Sequence, residues 1–185
     1  MKRILFLLLL FNVSFLTSAQ DMDQATQQKI DSLKAEVNSD IHDSLKVKAL
    51  LEWEDIVYYI DFQQDSIVCK KLLHLCLENV DKEASEQEQL FFLKETARAY
   101  NYMGLVFQET ESVDSSILMF RQSIDYHTKA GQPQMSDGAH INLANSLYSI
   151  GSFDEAIDEY LIGAELCDQT GNASFKSAAI IGIGN

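Results

Sequence analysis

Apolar residues in the stretch 137–150 recur at the spacing of a helix face. Leu143, Ala144 and Leu147 stand at positions i, i+1 and i+4, which places them on one side of a helix with 3.6 residues per turn. Gly151 follows directly and is predicted to end this helix. The pattern therefore predicts an amphipathic helix that buries one face.

A second apolar stripe follows in residues 153–167. Ser152 and Glu155 match an S-x-x-E capping box, which predicts the start of a second helix. Gly171 supplies the left-handed residue with which a helix commonly ends. The stripe consists of Ala156, Ile157, Tyr160, Leu161 and Ala164. Residues 137–171 thus predict a pair of helices joined by a short turn.

The pattern returns along the chain at a fixed offset. Gly104, Ala144 and Gly184 follow one another at steps of 40 residues. Other positions keep the same step, namely Ser116 with Ala156, Ile117 with Ile157, Phe120 with Tyr160, and Gly131 with Gly171. Such self-similarity at one offset is the signature of a repeat protein.

Small residues inside these helices predict how the helices pack. Glycine in a helix costs about 1 kcal/mol relative to alanine, and close approach of two helix backbones is the natural compensation. A small residue on the first helix then meets a small residue on the second, and a large aromatic fills the space towards the next pair. The predicted packing residues are Gly104, Ser116, Phe120, Ala144, Ala156, Tyr160 and Gly184.

The segment "INLANSLYSIGSFDEAIDEYL" at 141–161 resembles the tetratricopeptide repeat family. The resemblance covers about two thirds of the chain and implies an all-α superhelix, a solenoid of antiparallel helix pairs. The implied organisation is a signal peptide at 1–19, an N-terminal helix or linker at 20–43, a degenerate unit at 44–81, a connecting helical segment at 82–96, units at 97–136 and 137–176, and the start of a further unit at 177–185.

The length of the step leaves a second family open. Tetratricopeptide units have about 34 residues and HEAT-type units about 40–47, so a step of 40 lies near the lower edge of the HEAT range. The order of small and aromatic residues within each pair favours the tetratricopeptide interpretation. The last segment is apolar at Ala179, Ile180, Ile181 and Ile183, from which we expect the chain to be a fragment of a longer protein.

Composition supports a helical, folded chain. Hydrophobic residues make up 46% of the sequence, which suffices for a core. The single proline is Pro133, and no glycine precedes Gly104. A stretch of that length without either residue favours helices over turn-rich β structure.

The N-terminus has the features of a secretory signal. Lys2 and Arg3 precede an apolar run, and the small residues around Ala19 predict the cleavage site. The run is too short to span a bilayer core of roughly 30 Å. We therefore expect an exported protein, periplasmic or extracellular, which loses these two cations and changes its net charge from −14 to −16. A chain this acidic disfavours nucleic acids and anionic membrane surfaces as partners.

The three cysteines allow two interpretations. Cys69 and Cys76 are seven positions apart on one predicted helix, roughly 10 Å along its axis, which is too far for a disulfide. Either Cys167 pairs with one of them, or all three are buried thiols. Buried thiols are favoured, because cysteine is among the most often buried residues.

Known catalytic and metal-binding motifs are absent from the sequence. The histidines, His42, His74, His127 and His140, form no H-E-x-x-H motif and have no cysteine at zinc-finger spacing. No G-x-S-x-G or Walker motif occurs. We therefore predict no enzymatic activity, cofactor or metal site in these residues, which disfavours a hydrolase.

The resemblance also implies a binding surface. In tetratricopeptide arrays the first helix of each pair lines a concave groove that binds a protein or peptide, and an asparagine after the packing residue often bonds the peptide backbone. The groove positions carried over are Arg98, Asn101, Gln108, Asn142, Asn145, Tyr148 and Asn185. Only one of them is a cation, which disfavours acidic peptides.

Two functional hypotheses follow from this resemblance. An exported N-terminus followed by 40-residue helix pairs is similar to the sensing regions of bacterial histidine kinases and adenylate cyclases, in which a spanning helix and an output domain follow. The alternative is a free exported scaffold that binds a protein or peptide.

Overall fold

A computed structural model describes residues 23–82, 84–110 and 112–184, and within them the fold is all-α, as the sequence predicts. No β-strand occurs in this part of the chain. The helices are α1 (Gln24–Val37), α2 (Asp43–Val57), α3 (Phe62–Val80), α4 (Glu86–Glu109), α5 (Val113–Lys129), α6 (Asp137–Ser149), α7 (Phe153–Thr170) and α8 (Ala173–Gly184), with a short 3₁₀ helix at Pro133–Ser136. The predicted signal peptide and Asn185 lie outside the described residues.

The helices pack in two layers. Each helix contacts the next one along the chain, and α2, α4, α6 and α8 also contact one another in that order. Within the described ranges, no odd-numbered helix contacts another odd-numbered helix. The even-numbered helices therefore form a continuous layer, which carries the candidate site described below.

Glycines with left-handed backbone angles separate the last helices. Gly131, Gly151 and Gly171 have φ angles of 68°, 81° and 74°. The predicted end at Gly151 and the left-handed stop at Gly171 are confirmed. An L side chain at these positions would be strained, so the glycines define where the chain turns.

The capping box predicted before α7 is not formed. Ser152 precedes the helix with a ψ of 62°, and its side chain accepts no hydrogen bond from a backbone N–H of the first turn. Ser85, with an extended ψ of 153°, does cap α4 by accepting from Glu88 N. Glu155 instead lies 3.6 Å from Arg121 on α5.

Two helices depart from the predicted repeat boundaries. α4 runs unbroken from 86 to 109, so the connecting segment 82–96 and the first helix of the next unit share one helix. α8 begins at Ala173, four residues before the predicted boundary at 177. The connection from α5 to α6 includes the 3₁₀ helix, whereas α8 follows Gly171 almost directly. The start of α8 therefore departs from the 40-residue step.

Buried apolar residues form two main clusters. The first joins α1 to α4, and includes Ile30, Leu33, Leu50, Trp53, Leu72 and Phe92. The second joins α5 to α8, and includes Phe120, Leu143, Ala144, Leu147, Ala156, Tyr160 and Ala179. α4 contributes to both, since Ala99 belongs to the first cluster and Leu105 packs against the second.

The cysteines are all buried and unpaired, so the buried-thiol interpretation is confirmed. Cys69 packs with Met103 and Val106 of α4 in a small third cluster. Cys76 and Cys167 belong to the first and second clusters. Burial raises the pKa of Cys76 to about 12, so this thiol stays protonated at neutral pH.

Two glycines make close ring contacts in the core. A Cβ atom built on Gly104 would lie 2.3 Å from the ring of Phe120, and one on Gly182 would lie 2.3 Å from the ring of Tyr160. Gly184, which was predicted to pack, has nothing within 4 Å of that position. The prediction for Gly184 is wrong because α8 begins early, which brings Gly182 opposite the aromatic ring instead.

The last helix is buried on one side. Ala179 is fully buried, whereas Ile180 and Ile181 are 58% and 64% exposed. The apolar residues of this segment are thus divided between the core and the surface. No helix in the described part of the chain has the length and apolar content that crossing a bilayer demands.

Candidate functional site

A pocket of about 310 Å³ lies on the layer of even-numbered helices, between α4, α5, the 3₁₀ helix, α6 and the start of α8. We call it the central pocket. Its lining residues are Lys94, Glu95, Arg98, Asn101, Tyr102, Ser123, His127, Gln132, Met135, Asp137, Gly138, Ala139 and Phe175. Its size is at the lower end of the range for small-molecule sites, about 300–1,000 Å³.

One face of α4 provides most of the polar groups. Lys94, Glu95, Arg98, Asn101 and Tyr102 stand at helical intervals, so their side chains emerge on the same side. Arg98 Nη1 lies 3.4 Å from Glu95 Oε2, so the exposed guanidinium forms an ion pair with a largely buried carboxylate. Two cations therefore border the pocket in a chain whose net charge is −14.

Three buried polar atoms at the pocket have no hydrogen-bond partner among the described residues. They are Glu95 Oε2 on α4, and Ser123 Oγ and His127 Nδ1 on α5. The distance between Arg98 and Glu95 permits attraction between their charges, but no hydrogen bond is made. A buried polar atom without a partner costs about 1–3 kcal/mol, so groups of this kind are candidates for contact with a ligand.

Burial sets the protonation of the pocket. It lowers the pKa of His127 to about 4, with Arg98 adding to the effect and Asp137 opposing it, so the imidazole is neutral at pH 7. Burial also raises the pKa of Glu95, against the opposing effect of Arg98, Lys94 and Lys48. Besides the neutral imidazole, the lining therefore contains two cations, Lys94 and Arg98, and two carboxyl groups, Glu95 and Asp137.

The far wall of the pocket is held by Asp137, the first residue of α6. Its Oδ1 accepts from Gly138 N at 2.7 Å, and its Oδ2 accepts from the Thr170 hydroxyl at 2.7 Å. This carboxylate therefore ties α6 to α7, and its hydrogen-bonding capacity is used within the protein. Phe175 of α8 closes that side by packing against Gly138.

Several of the predicted groove residues hydrogen-bond to one another. Asn142 Nδ2 donates to Asn101 Oδ1 at 3.2 Å. Gln108 Nε2 donates to the Asn142 carbonyl at 3.1 Å and to the Ser146 hydroxyl at 2.7 Å. The Ser146 hydroxyl also pairs with that of Ser116 at 2.9 Å. These side chains link α4, α5 and α6, and only Arg98 and Asn101 of the predicted set line the central pocket.

The other predicted groove residues lie farther along the layer. Asn145 is exposed, and its Oδ1 accepts from the Tyr160 hydroxyl at 2.5 Å. Tyr148 packs edge-on against Phe153, with ring centroids 5.2 Å apart. Asn185 lies outside the described residues.

Sequence reasoning missed Lys94, Glu95, Ser123 and His127 as site residues. Lys94 and Glu95 fall in the segment assigned as a connector, and Ser123 and His127 are on a helix assigned to the other layer. The spacing of four between Ser123 and His127 places both on one face of α5 and was the available signal. The sequence analysis disfavours acidic peptides because Arg98 is the only cation among the predicted groove residues. Lys94 is a second cation at the pocket, so that argument no longer holds.

The central pocket combines hydrogen-bond donors with apolar side chains. Arg98 and Lys94 donate in several directions, Ser123 offers a hydroxyl, and Met135 and Phe175 supply apolar contact. Such a pocket suits a ligand with carbonyl or carboxylate oxygens attached to an apolar body. Neither a scan of protein-family models nor a search of curated proteins gave a match to the chain.

Proposed function

We propose that the protein is a tetratricopeptide-like interaction or sensing module that binds a protein or peptide on the layer of even-numbered helices. The observation that carries this proposal is the central pocket, where three buried polar atoms lack partners beside two cations. The repeated small–aromatic pattern and the two-layer packing support the tetratricopeptide assignment.

The ligand approaches as an extended segment along α4 and α6. Its carbonyl or carboxylate oxygens accept from Arg98, Lys94 and Ser123 in the central pocket. The Asn101 side chain, already an acceptor for Asn142, presents its amide group at the edge of the same pocket. An acidic or carboxylate-bearing residue is therefore the favoured anchor.

Ser123 allows a test that separates binding from stability. Its hydroxyl is fully buried without a partner, so Ser123→Ala should leave the free energy of unfolding unchanged or raise it slightly. If the hydroxyl meets the ligand, the same change should weaken binding about ten-fold, as expected for one lost hydrogen bond to a charged group. Arg98→Ala should weaken binding at least as much.

The measurement is selection of a random peptide library on the wild-type protein, followed by calorimetric titration of the enriched peptides. Arg121→Ala is the matched control, because Arg121 is exposed and pairs with Glu155 away from the pocket. Its affinity should stay within about two-fold of the wild type. Enrichment of no peptide, or equal affinity in Ser123→Ala, contradicts the proposal.

We place this module in the exported part of a membrane signalling protein of the histidine kinase or cyclase type, with a free exported scaffold as the alternative. The motivation is the signal-like N-terminus together with the helical repeat pattern. Reading the coding sequence past Asn185 decides between them. A spanning helix and an output domain support signalling, further repeats and then a stop support the scaffold, and an immediate stop contradicts both the expected fragment and the signalling role.

A further inference from the structure

A second, smaller pocket lies beside the central pocket, at the turn that joins α2 to α3. It has a volume of about 160 Å³ and is lined by Glu54, Asp55, Tyr58, Tyr59, Tyr102 and Leu105. We call it the tyrosine pocket. It is smaller than sites that enclose a whole ligand, about 300–1,000 Å³, so it fits a head group or a side-chain end.

Aromatic rings form the walls of this pocket. The rings of Tyr58 and Tyr59 have centroids 4.5 Å apart and planes at 82°, so they stand as two perpendicular faces. Tyr102 of α4 adds a third ring. Tyr59 is 88% exposed, and so it contributes almost nothing to the core. Its ring is therefore accessible to a ligand that enters the pocket.

A buried carboxyl group also lines the pocket. Glu54 is only 3% exposed, and no cation in the described residues lies within ion-pair distance of it. Its surroundings are mostly acidic: Asp55 is beside it, and Asp65 of α3 lies close behind. Arg98 acts on Glu54 from a distance, since it pairs directly with Glu95. A buried carboxylate without a cationic partner is unfavourable, so a bound cation would relieve it.

We propose that the tyrosine pocket binds an organic ammonium group. Three aromatic rings and a buried carboxylate are the combination that attracts such cations, because the negative face of an aromatic ring and the charge of a carboxylate both attract a cation. The ammonium comes either from a lysine side chain of a bound protein or from a free amine. This site goes beyond the central pocket and does not rest on the function proposed for it.

A metal ion is disfavoured at this place, although Glu54, Asp65 and Cys69 have ligand atoms within 4.8 Å of one another. The Cys69 thiol donates to Asp65 Oδ1 at 3.3 Å, and burial raises its pKa strongly, so the thiolate needed for a metal is not available at neutral pH. The walls of the pocket are also rings rather than ligand atoms.

The test is calorimetric titration at pH 8, above the pKa of about 7 to which burial raises Glu54, so that its carboxylate is ionised. The probes are tetramethylammonium chloride and, separately, N-acetyl-lysine amide, each against sodium chloride at matched ionic strength. Saturable binding of either probe is expected in the wild type. Tyr59→Ala should weaken it about three- to thirty-fold, the range for a cation over one ring. Tyr59→Phe keeps the π face and should bind within about two-fold of the wild type.

Glu54→Gln should weaken binding by about ten-fold or more, since it removes the countercharge and keeps the shape. Phe153→Ala, an exposed aromatic remote from this pocket, is the control and should bind normally. Should Glu54→Gln not fold, the pair of Tyr59 variants decides alone. Preference for the lysine probe identifies a protein side chain as the source, and preference for tetramethylammonium identifies a free quaternary amine.

Three results would overturn the inference. One is the absence of saturable binding by either probe. Another is equal affinity in Tyr59→Ala and wild type. The third is binding of zinc chloride that Cys69→Ser abolishes and Tyr59→Ala leaves intact, which would make this a metal site. The peptide titrations with Ser123→Ala are unaffected by any of these results, so the two proposals fail separately.

Discussion

The ring of Phe120 is the group nearest to Gly104, where the sequence pattern predicts a small residue of the second helix instead. No side chain fits on Gly104 without moving an aromatic ring that is fully buried. A ring in the middle of a core has little room to retreat, because protein interiors are close-packed. The glycine therefore fixes how closely α4 and α5 approach.

Gly104→Ala should lower the free energy of unfolding by about 1–3 kcal/mol, since the cost of overpacking exceeds the gain of helix propensity. Gly184→Ala is the matched control in open space, and it should be neutral or stabilise by up to about 1 kcal/mol. Urea denaturation followed by circular dichroism measures both. Equal effects of the two substitutions would show that the ring contact does not limit the packing.

Glu54 makes stability depend on pH. Burial, with Asp65 and Asp55 adding to it, raises its pKa from 4.5 to about 7, against the weaker opposing effects of Tyr102 and Arg98. The folded state thus holds the proton where the unfolded state has lost it. The stabilising contribution is complete below pH 4.5 and is lost as the pH rises through 7.

Glu54→Gln should therefore gain stability relative to the wild type as the pH is raised from 5 to 8. Thermal unfolding of both proteins at several pH values in that interval gives the measurement. Glu52→Gln, an exposed neighbour on the same helix, serves as the control and should follow the wild type. A constant difference between Glu54→Gln and wild type across the interval would contradict the raised pKa.

At the scale of the helices, α4 is the unusual element. It has 24 residues, contributes to both main clusters, and lines both pockets. A repeat assignment divides this helix at residue 97, but there is no glycine or proline near that point to break it. The N-terminal half therefore continues the helix and brings Lys94 and Glu95 to the central pocket.

The residues that end a helix decide how well that helix can be predicted from the sequence. α6 and α7 lie between Gly131, Gly151 and Gly171, whose left-handed angles end helices, and the sequence predicts both well. The start of α8 was missed because the extra 3₁₀ helix occurs before α6 and has no counterpart after Gly171. Local turn geometry of that kind is not contained in a periodic pattern.

The candidate site was less predictable than the helices. Arg98 and Asn101 are on the expected face, because helix periodicity assigns faces reliably. Ser123 and His127 reach the pocket from α5, which depends on how two helices are rotated against each other. The tyrosine pocket combines α2, its following turn and α4, and no local pattern connects those segments.

At the scale of the whole molecule, α4 contributes to both hydrophobic clusters, so we expect one cooperative unfolding transition. The first cluster contains the only tryptophan, Trp53, so its fluorescence reports on that half. Phe120 belongs to the second cluster, and Phe120→Ala should cost about 3–5 kcal/mol. Because α4 belongs to both clusters, loss of the second should also unfold the first.

The expected result is that Phe120→Ala shifts the urea midpoint of Trp53 fluorescence as far as it shifts the midpoint of circular dichroism. Leu118→Ala, an exposed residue of the same helix, is the control and should leave both midpoints nearly unchanged. A shift in circular dichroism alone would show that the halves unfold separately.

Because α4 is continuous, a tilt about one of its ends also moves the other end. A helix of 24 residues is about 36 Å long, so a tilt of about 3° around one end displaces the other by roughly 2 Å. On α4, the residues of the central pocket lie between Lys94 and Tyr102, and Gln108, which hydrogen-bonds to α6, lies near the C-terminal end. A small change of angle beside the pocket is thereby magnified where α4 meets α6.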